Sequence, residues 1–312
     1  MQDPTADALD PPGHAPSTTT SPAVGLLLAT RPRQWVKNLL VVVAPAAAGK
    51  FFHLHVLSRT GVALLAFVLA SSGTYLLNDA RDAEADRLHP AKRTRPIAAG
   101  TVALPVAVAA ACVLLAGGVG IAMALTWRLG LVVVLYVAQS VLYSMGAKRV
   151  AVIELGLVTS GFVLRAVAGG VATGLPLSSW FLVVISFGAL FVVVGKRLAE
   201  LHELGEVRAD HRAVLEAYTT RFLESALTMA AGVTVTGYCL WGFAVDRNGL
   251  GVHHDQLWIQ LSVVPVVLAV LYVLLQLGAG RGGAPEDLVL RDRTVQALGV
   301  AWAVLVAVGV YS

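Results

Sequence analysis

The sequence predicts an all-α polytopic membrane protein, a bundle of nine transmembrane helices with a polar site facing the cytoplasm. Three observations predict it. Of the 312 residues, 57% are hydrophobic and 13% charged, whereas soluble domains carry about 25% charged residues. The charges cluster, leaving uncharged runs of roughly 18 residues or more, the length that indicates a membrane span. The cations also fall on one side of those runs. With the N-terminus inside, Lys50, Arg59, Arg128 and Arg247 lie outside and Arg165 lies within a span; the remainder of the 23 Lys and Arg lie inside. That bias orients multi-span proteins.

Each element has its own justification. Residues 1–23 are rich in Pro, Ser, Thr and Asp and bury almost nothing, so they read as a disordered cytoplasmic tail. They lack the basic stretch before an apolar run that marks a signal peptide. Residues 24–312 form one transmembrane domain. Span 1 (36–52) is short and flanked by Lys37 and Lys50, whose stems can snorkel to the interface. Span 2 (58–78) is apolar until Asn78. Span 3 (102–125) follows a loop containing Pro96, which restricts Arg95. Spans 4 and 5 (128–145 and 151–173) are joined by an inner turn where Lys148 and Arg149 read as anchors beside Tyr143. Span 6 (178–197) ends in GKRLAELHEL. Spans 7, 8 and 9 (222–244, 256–277, 294–311) are apolar runs, charged only at Glu224 near the start of span 7, the last preceded by PEDLVLRDR (285–293), which reads as structural. Long inner loops, 79–101 and 198–221, follow spans 2 and 6. They suggest two four-span halves with a polar site between them. Cys112 and Cys239 lie in apolar runs and read as small buried hydrophobes. HLH (53–55) and HHD (253–255) lack further ligands nearby and read as outer surface loops.

The end of span 2 carries the chemistry. In YLLNDARDAEADRLHPAKRTRPIAAG, Asn78, Asp82 and Asp86 recur at i, i+4 and i+8, and Asp79 stands three before Asp82. On a continuous helix all four share one side. Like charges so placed destabilise a bare helix, but a divalent cation between them reverses the sign. Carboxylate and carboxamide oxygens are hard ligands suited to Mg²⁺ or Mn²⁺. Mg²⁺ usually takes one or two carboxylates plus phosphate oxygens, so the ladder reads as a metal–diphosphate site with Asn78, Asp82 and Asp86 as ligands. The competing reading is a solvated, salt-bridged helix end. Lys92, Arg93 and Arg95 follow and supply donors for anionic oxygens.

Other polar groups flank this ladder. In RPRQWVKNLL, Lys37 and Asn38 stand at a helix start, which favours anions; interfacial anchoring is the plainer reading. Lys196, Glu200 and Glu203 fall on one helical face next to Arg197, either as a phosphate clamp or as a self-satisfied pair. Arg165 sits mid-span, where a charge is costly and marks a functional site or the partner of a buried acid such as Glu154.

These strings resemble a known family. Nine spans with NDARDAEAD after the second resemble the UbiA superfamily of intramembrane prenyltransferases, whose first Asp-rich motif, N-D-x-x-D-x-x-x-D, matches Asn78, Asp79, Asp82 and Asp86 without a gap. More narrowly, RPRQWVKNLLVVVAP, LRAVAGGVATGLPLSSWF and GKRLAELHEL resemble the branch that moves phosphoribose rather than a prenyl group. The resemblance implies a UbiA-type bundle that transfers 5-phosphoribose from 5-phosphoribosyl 1-diphosphate to decaprenyl (polyprenyl) phosphate, for cell-wall arabinan precursors. It implies catalytic roles for Asn78, Asp79, Asp82 and Asp86. Donor and acceptor phosphates would be held by Lys37, Asn38, Lys92, Arg93, Arg95, Arg165, Lys196, Arg197 and Glu200. Mg²⁺ (or Mn²⁺) would be the cofactor, membrane lipids the surroundings, and the plasma membrane the location. No nucleic acid is expected, and a homo-oligomer is left open. The second D-x-x-x-D of typical members is replaced here by cations and Glu, and Leu198 stands where the narrower branch often has Tyr. Two alternatives stay open: an aromatic or quinone prenyltransferase of this fold, and a lipid-phosphate transporter.

Overall fold

Helices begin and end in this chain where proline, glycine and charge interrupt the apolar runs. In the computed structural model, residues 21–90, 92–204, 213–244, 256–280, 288–289 and 291–311 are described. The tail (1–20), Arg208, Arg212, Arg247, HHD and residues 285–287 and 290 of PEDLVLRDR lie outside them, as does the Glu203 side chain.

The first helix, α1 (Pro22–Ala29), is capped by the Ser21 hydroxyl, which accepts from the Val24 N–H at 3.4 Å. It takes in Pro22 and Ala23, which the sequence assigned to the tail. A 3₁₀ segment (Pro32–Leu39) leads into α2 (Leu40–Ala47). The first span is therefore two short helical pieces and stops before residue 52. Pro45 inside α2 and Gly49 in a left-handed turn explain the shortening.

Next come α3 (Leu54–Arg81), the short α4 (Ala83–Leu88), α5 (Leu104–Leu125), α6 (Trp127–Met145), α7 (Ile153–Thr173) and α8 (Ser179–Leu204). Then follow α9 (Thr220–Ala244), α10 (Gln256–Leu261), α11 (Val263–Gly278) and α12 (Arg293–Tyr311). Among the described residues eight helical segments are long and apolar enough to cross a membrane, α10 and α11 counting as one across Ser262. With the divided first span they give the expected nine.

The central element is α3. It buries Ser71, Ser72, Gly73 and Thr74, small residues that let backbones approach where lipid offers no hydrophobic drive. Against it, α5 comes so close that a Cβ on Gly118 would lie 2.8 Å from the Ala66 carbonyl oxygen. Two larger apolar clusters flank α7: one unites Val41, Phe67, Leu129, Val133 and Ala168, the other Leu155, Phe191, Leu198, Leu223 and Leu277. Leu198, fully buried, is core. A third cluster (Ala29, Leu76, Ala83, Ile97, Val102, Ala107, Ala111) pins the 92–103 loop beneath the ladder. Cys112 is exposed rather than buried, since α5 turns much of its surface towards lipid, where a small apolar side chain costs nothing.

Candidate functional site

The ladder straddles a helix break. α3 ends at Arg81, Asp82 turns the chain at φ −87° and ψ 1°, and α4 starts at Ala83. The four groups therefore divide into two sets instead of sharing one face. Asp79 and Asp86 are buried and joined by the Arg95 guanidinium, whose Nη1 donates to Asp86 Oδ2 at 2.6 Å and to Asp79 Oδ1 at 3.3 Å. Arg31 Nη2 donates to the same Asp79 oxygen at 2.5 Å. Asp82 belongs to the other set. Its Oδ2 accepts from Lys148 Nζ at 2.7 Å and from Asn78 Nδ2 at 3.3 Å, and Asn78 Oδ1 accepts from the Ser144 hydroxyl at 2.9 Å.

Arg31 is placed by its backbone. It adopts a left-handed conformation, φ 57° and ψ 63°, between α1 and Pro32, at a cost of about 1–2 kcal/mol for a non-glycine residue. Its guanidinium also lies 5.1 Å from the Tyr75 ring centre. Lys148, read from sequence as an anchor, is instead a partner of the ladder, delivered by a 3₁₀ turn (Ala147–Arg149) after α6.

Behind the ladder lies a buried cation. Arg165 donates from Nε to Asn38 Oδ1 at 2.8 Å, from Nη1 to the Gly161 carbonyl at 2.7 Å and from Nη2 to the Tyr136 hydroxyl at 2.9 Å. Asn38 Nδ2 in turn donates to Ser71 at 3.2 Å. Arg165 thus ties the 3₁₀ segment to α3, α6 and α7. Glu154 is not its partner: both lie on α7 eleven residues apart, about 16 Å along a helix axis.

Glu154 pairs with Arg197 instead. Arg197 Nε and Nη2 donate to the two Glu154 oxygens at 2.8 and 2.9 Å, and Nη1 donates to Glu200 at 2.6 Å. The expected face of Lys196 and Glu200 is thus resolved as an Arg197–Glu200 pair three residues apart. Lys196 is half-buried beside it. The Tyr218 hydroxyl, 3.4 Å from Glu154, accepts from the Val152 N–H at 2.7 Å. Val152 forms a γ-turn at φ 67° and ψ −46°, closed by the Ile153 N–H to the Ala151 carbonyl at 2.8 Å. Residues 147–154 therefore run from the ladder, through Lys148, to the Glu154–Arg197–Tyr218 cluster.

Of the remaining predicted residues, Lys37 is half-buried with Nζ 5.8 Å from the Phe162 ring centre, Lys92 is half-buried, and Arg93 is exposed. Spacing along the chain gave no signal for Arg31, Lys148, Ser144, Tyr136 or Tyr218, which reach their partners only through the tertiary fold. A cavity of about 390 Å³ opens beside the ladder between α3, α5 and α6, walled by Leu77, Leu104, Val108 and Val141, with Ser144 and Arg81 at its polar edge.

The chemistry of this arrangement is anion capture beside hard oxygen donors. Among the described residues no three His, Cys, Asp or Glu side chains converge as a metal cage; the Asp82 and Asp86 carboxylates stand in separate ion pairs. That donor set suits an ion taking one or two protein carboxylates and completing its shell with phosphate oxygens. It does not suit a site that must be all protein.

A decaprenyl-phosphate phosphoribosyltransferase of Mycobacterium tuberculosis is 44% identical over 290 residues, covering 92% of this chain and 94% of that protein. One from Corynebacterium glutamicum is 43% identical over 295 residues, 93% and 87% of the two chains. In three dimensions the fold superposes on a UbiA homolog from Archaeoglobus fulgidus bound to GPP and Mg²⁺ with a TM-score of 0.66 at 18% identity, covering 92% of this chain and 99% of that one. Residues 39–289 match the model of the UbiA prenyltransferase family, and the chain belongs to that family.

Proposed function

We propose that this enzyme transfers the 5-phosphoribosyl group of 5-phosphoribosyl 1-diphosphate to decaprenyl phosphate, giving decaprenylphosphoryl-5-phosphoribose and diphosphate for cell-wall arabinan synthesis. The observation that carries the reading is the near full-length identity, 42–44%, to phosphoribosyltransferases of that specificity. The site supports it. Two phosphorylated substrates need more cations than a prenyl diphosphate and a neutral aromatic, and Arg31, Arg95 and Lys148 all reach the ladder.

Asn78, Asp82 and Asp86 are the residues that would hold Mg²⁺. When bound, the ion supplies Lewis-acid neutralisation of the diphosphate leaving group. Asp79, between Arg31 and Arg95, keeps two guanidinium groups in place. Lys37, Lys92, Arg93 and Lys196 supply further positive charge for the ribose 5-phosphate and the acceptor phosphate. A phosphate monoester is already largely ionised near neutral pH, with its second pKa about 6, so an attacking lipid phosphate needs no strong general base. Attack opposite the leaving diphosphate inverts the anomeric carbon. Arg197 and Glu200 are engaged with Glu154 and each other; they hold the end of α8 and contact substrate less directly than the sequence implied. Arg165 positions Asn38 and the 3₁₀ segment. The mostly apolar cavity beside Ser144 has room for the first isoprene units.

The cation bias of the loops favours a site on the cytoplasmic face of the plasma membrane, and the ladder, Lys148 and the Arg197 cluster share one end of the bundle. The test is direct. Purified protein in detergent receives labelled phosphoribosyl diphosphate and decaprenyl phosphate, and label is followed into the organic phase with and without chelator. Chelator-sensitive transfer is expected; no transfer, together with prenylation of an aromatic acceptor from a prenyl diphosphate, overturns the reading.

A further inference from the structure

Three cations satisfy the ladder, and they are not equivalent. Arg95 bridges two carboxylates, Asp79 and Asp86, both almost fully buried. Arg31 reinforces Asp79. Arg95 is costly to remove, because Asp86 would be left buried without its counter-ion, and Arg31 adds a second cation to the buried Asp79. Lys148 differs in its chemistry and in the carboxylate it meets, Asp82 being far more open than Asp79 or Asp86. It is a single ammonium on a single carboxylate oxygen, and the Lys148 and Asp82 side chains are 26% and 27% exposed. An ammonium is compact and strongly hydrated, so water readily receives it when it leaves. Asp82 is thus the one ladder carboxylate, among the described ion pairs, whose counter-ion is held loosely at a partly open position. Its neighbour Asn78 offers a carboxamide on the same side, fixed by Ser144.

A divalent cation arriving at Asp82 meets an ammonium 2.7 Å from Oδ2, close to either oxygen of the carboxylate it would bind. Both cannot keep that lone-pair region without strong repulsion. The ammonium must withdraw, and its tether fixes how far it goes. Lys148 sits on a three-residue 3₁₀ turn between Gly146, φ 151°, and the Val152 γ-turn. The displaced charge therefore stays beside the ladder, where the diphosphate brings the anionic oxygens that it requires.

We infer that Lys148 is a resident counter-ion of Asp82 that a divalent cation displaces, and that the released ammonium then binds a phosphate oxygen of the donor. Lys148 thereby opposes metal binding to the empty protein and favours donor binding to the metal-loaded one. This rests on the phosphoribosyl transfer proposed above, and it couples the order of arrival: cation and donor assist each other through one side chain.

The two roles have opposite signs, which makes the idea testable. Mn²⁺ affinity is measured on donor-free protein by electron paramagnetic resonance, and donor KM by label transfer, for the wild type, Lys148→Met and Lys148→Arg, with thermal melting as a fold control. Lys148→Met should bind Mn²⁺ about fivefold more tightly, the upper range for a partly exposed ion pair. It should also raise donor KM about tenfold or more, as loss of a charge-assisted phosphate contact requires. Lys148→Arg should return both quantities towards wild type. Unchanged or weaker Mn²⁺ binding in a folded Lys148→Met protein overturns the proposal, as does an unchanged donor KM. The two readings fail separately. Protein that transfers phosphoribose with Lys148→Met silent in both measurements keeps the function and loses the switch. Protein that does not transfer phosphoribose, yet shows tighter Mn²⁺ and weaker inorganic diphosphate binding in Lys148→Met, keeps the switch and loses the donor assignment.

Discussion

Removing the Glu154 carboxylate should destabilise the protein more than removing any acid of the ladder. The Glu154 side chain is 0% exposed and that of Arg197 4%, and the two make parallel bonds of 2.8 and 2.9 Å. In Glu154→Ala the Arg197 guanidinium keeps only its 2.6 Å bond to the partly exposed Glu200, and Tyr218 loses a neighbour. Breaking a buried pair on one side costs about 3–5 kcal/mol, chiefly because the remaining charge is stranded. For a chain of this size that lowers the melting temperature by roughly 5–8 °C. Replacing both partners, Glu154→Met with Arg197→Met, removes the stranded charge and should recover most of the loss, to within about 2 kcal/mol of wild type. The assay is thermal unfolding in detergent for the two single variants and the double variant. Single losses under 1 kcal/mol, or a double loss equal to their sum, would refute the assignment of Arg197 as a buried structural counter-ion.

The other expectations concern catalysis, packing and pH. Asp82→Ala and Asp86→Ala should each abolish label transfer while leaving a folded, monodisperse protein; normal turnover in either removes the ladder from the mechanism. Gly169→Ala places a Cβ 1.9 Å from the Val41 carbonyl oxygen, so α2 must move off α7, at about 1–3 kcal/mol in an unfolding titration. Burial, with the nearby Glu154 adding to it, raises the Tyr218 hydroxyl above the ordinary tyrosine value of 10.0. The folded state then holds that proton more tightly than the unfolded chain. Its contribution is present below pH 10.0 and fades as the pH climbs beyond it. Tyr218→Phe should flatten that alkaline loss relative to wild type, while costing about 1 kcal/mol at neutral pH because the Val152 N–H loses its acceptor.

Much of this was readable from the chain. Hydropathy located the spans because each apolar run faces lipid, and the i, i+4, i+8 spacing located the ladder because its polarity breaks that pattern. What spacing did not convey was partnership. Asp82 meets Lys148 across 66 residues and Asp79 meets Arg31 across 48; such pairs depend on which helix ends the bundle gathers. The turn at Asp82 also escaped notice, since nothing in RDAEAD breaks a helix by composition. Glu154 and Arg165 show the converse: helix rise alone already forbade their contact.

The Val152 turn carries a last consequence. A β-branched residue at φ 67° is held against its own preference, at about 1–3 kcal/mol. Tyr218 grips it on one side and the Lys148 turn leads into it on the other. Such a segment stores its strain only while both ends are held. Lys148 and Tyr218, which belong to two inner loops, are thus held in register by one short strained stretch of backbone.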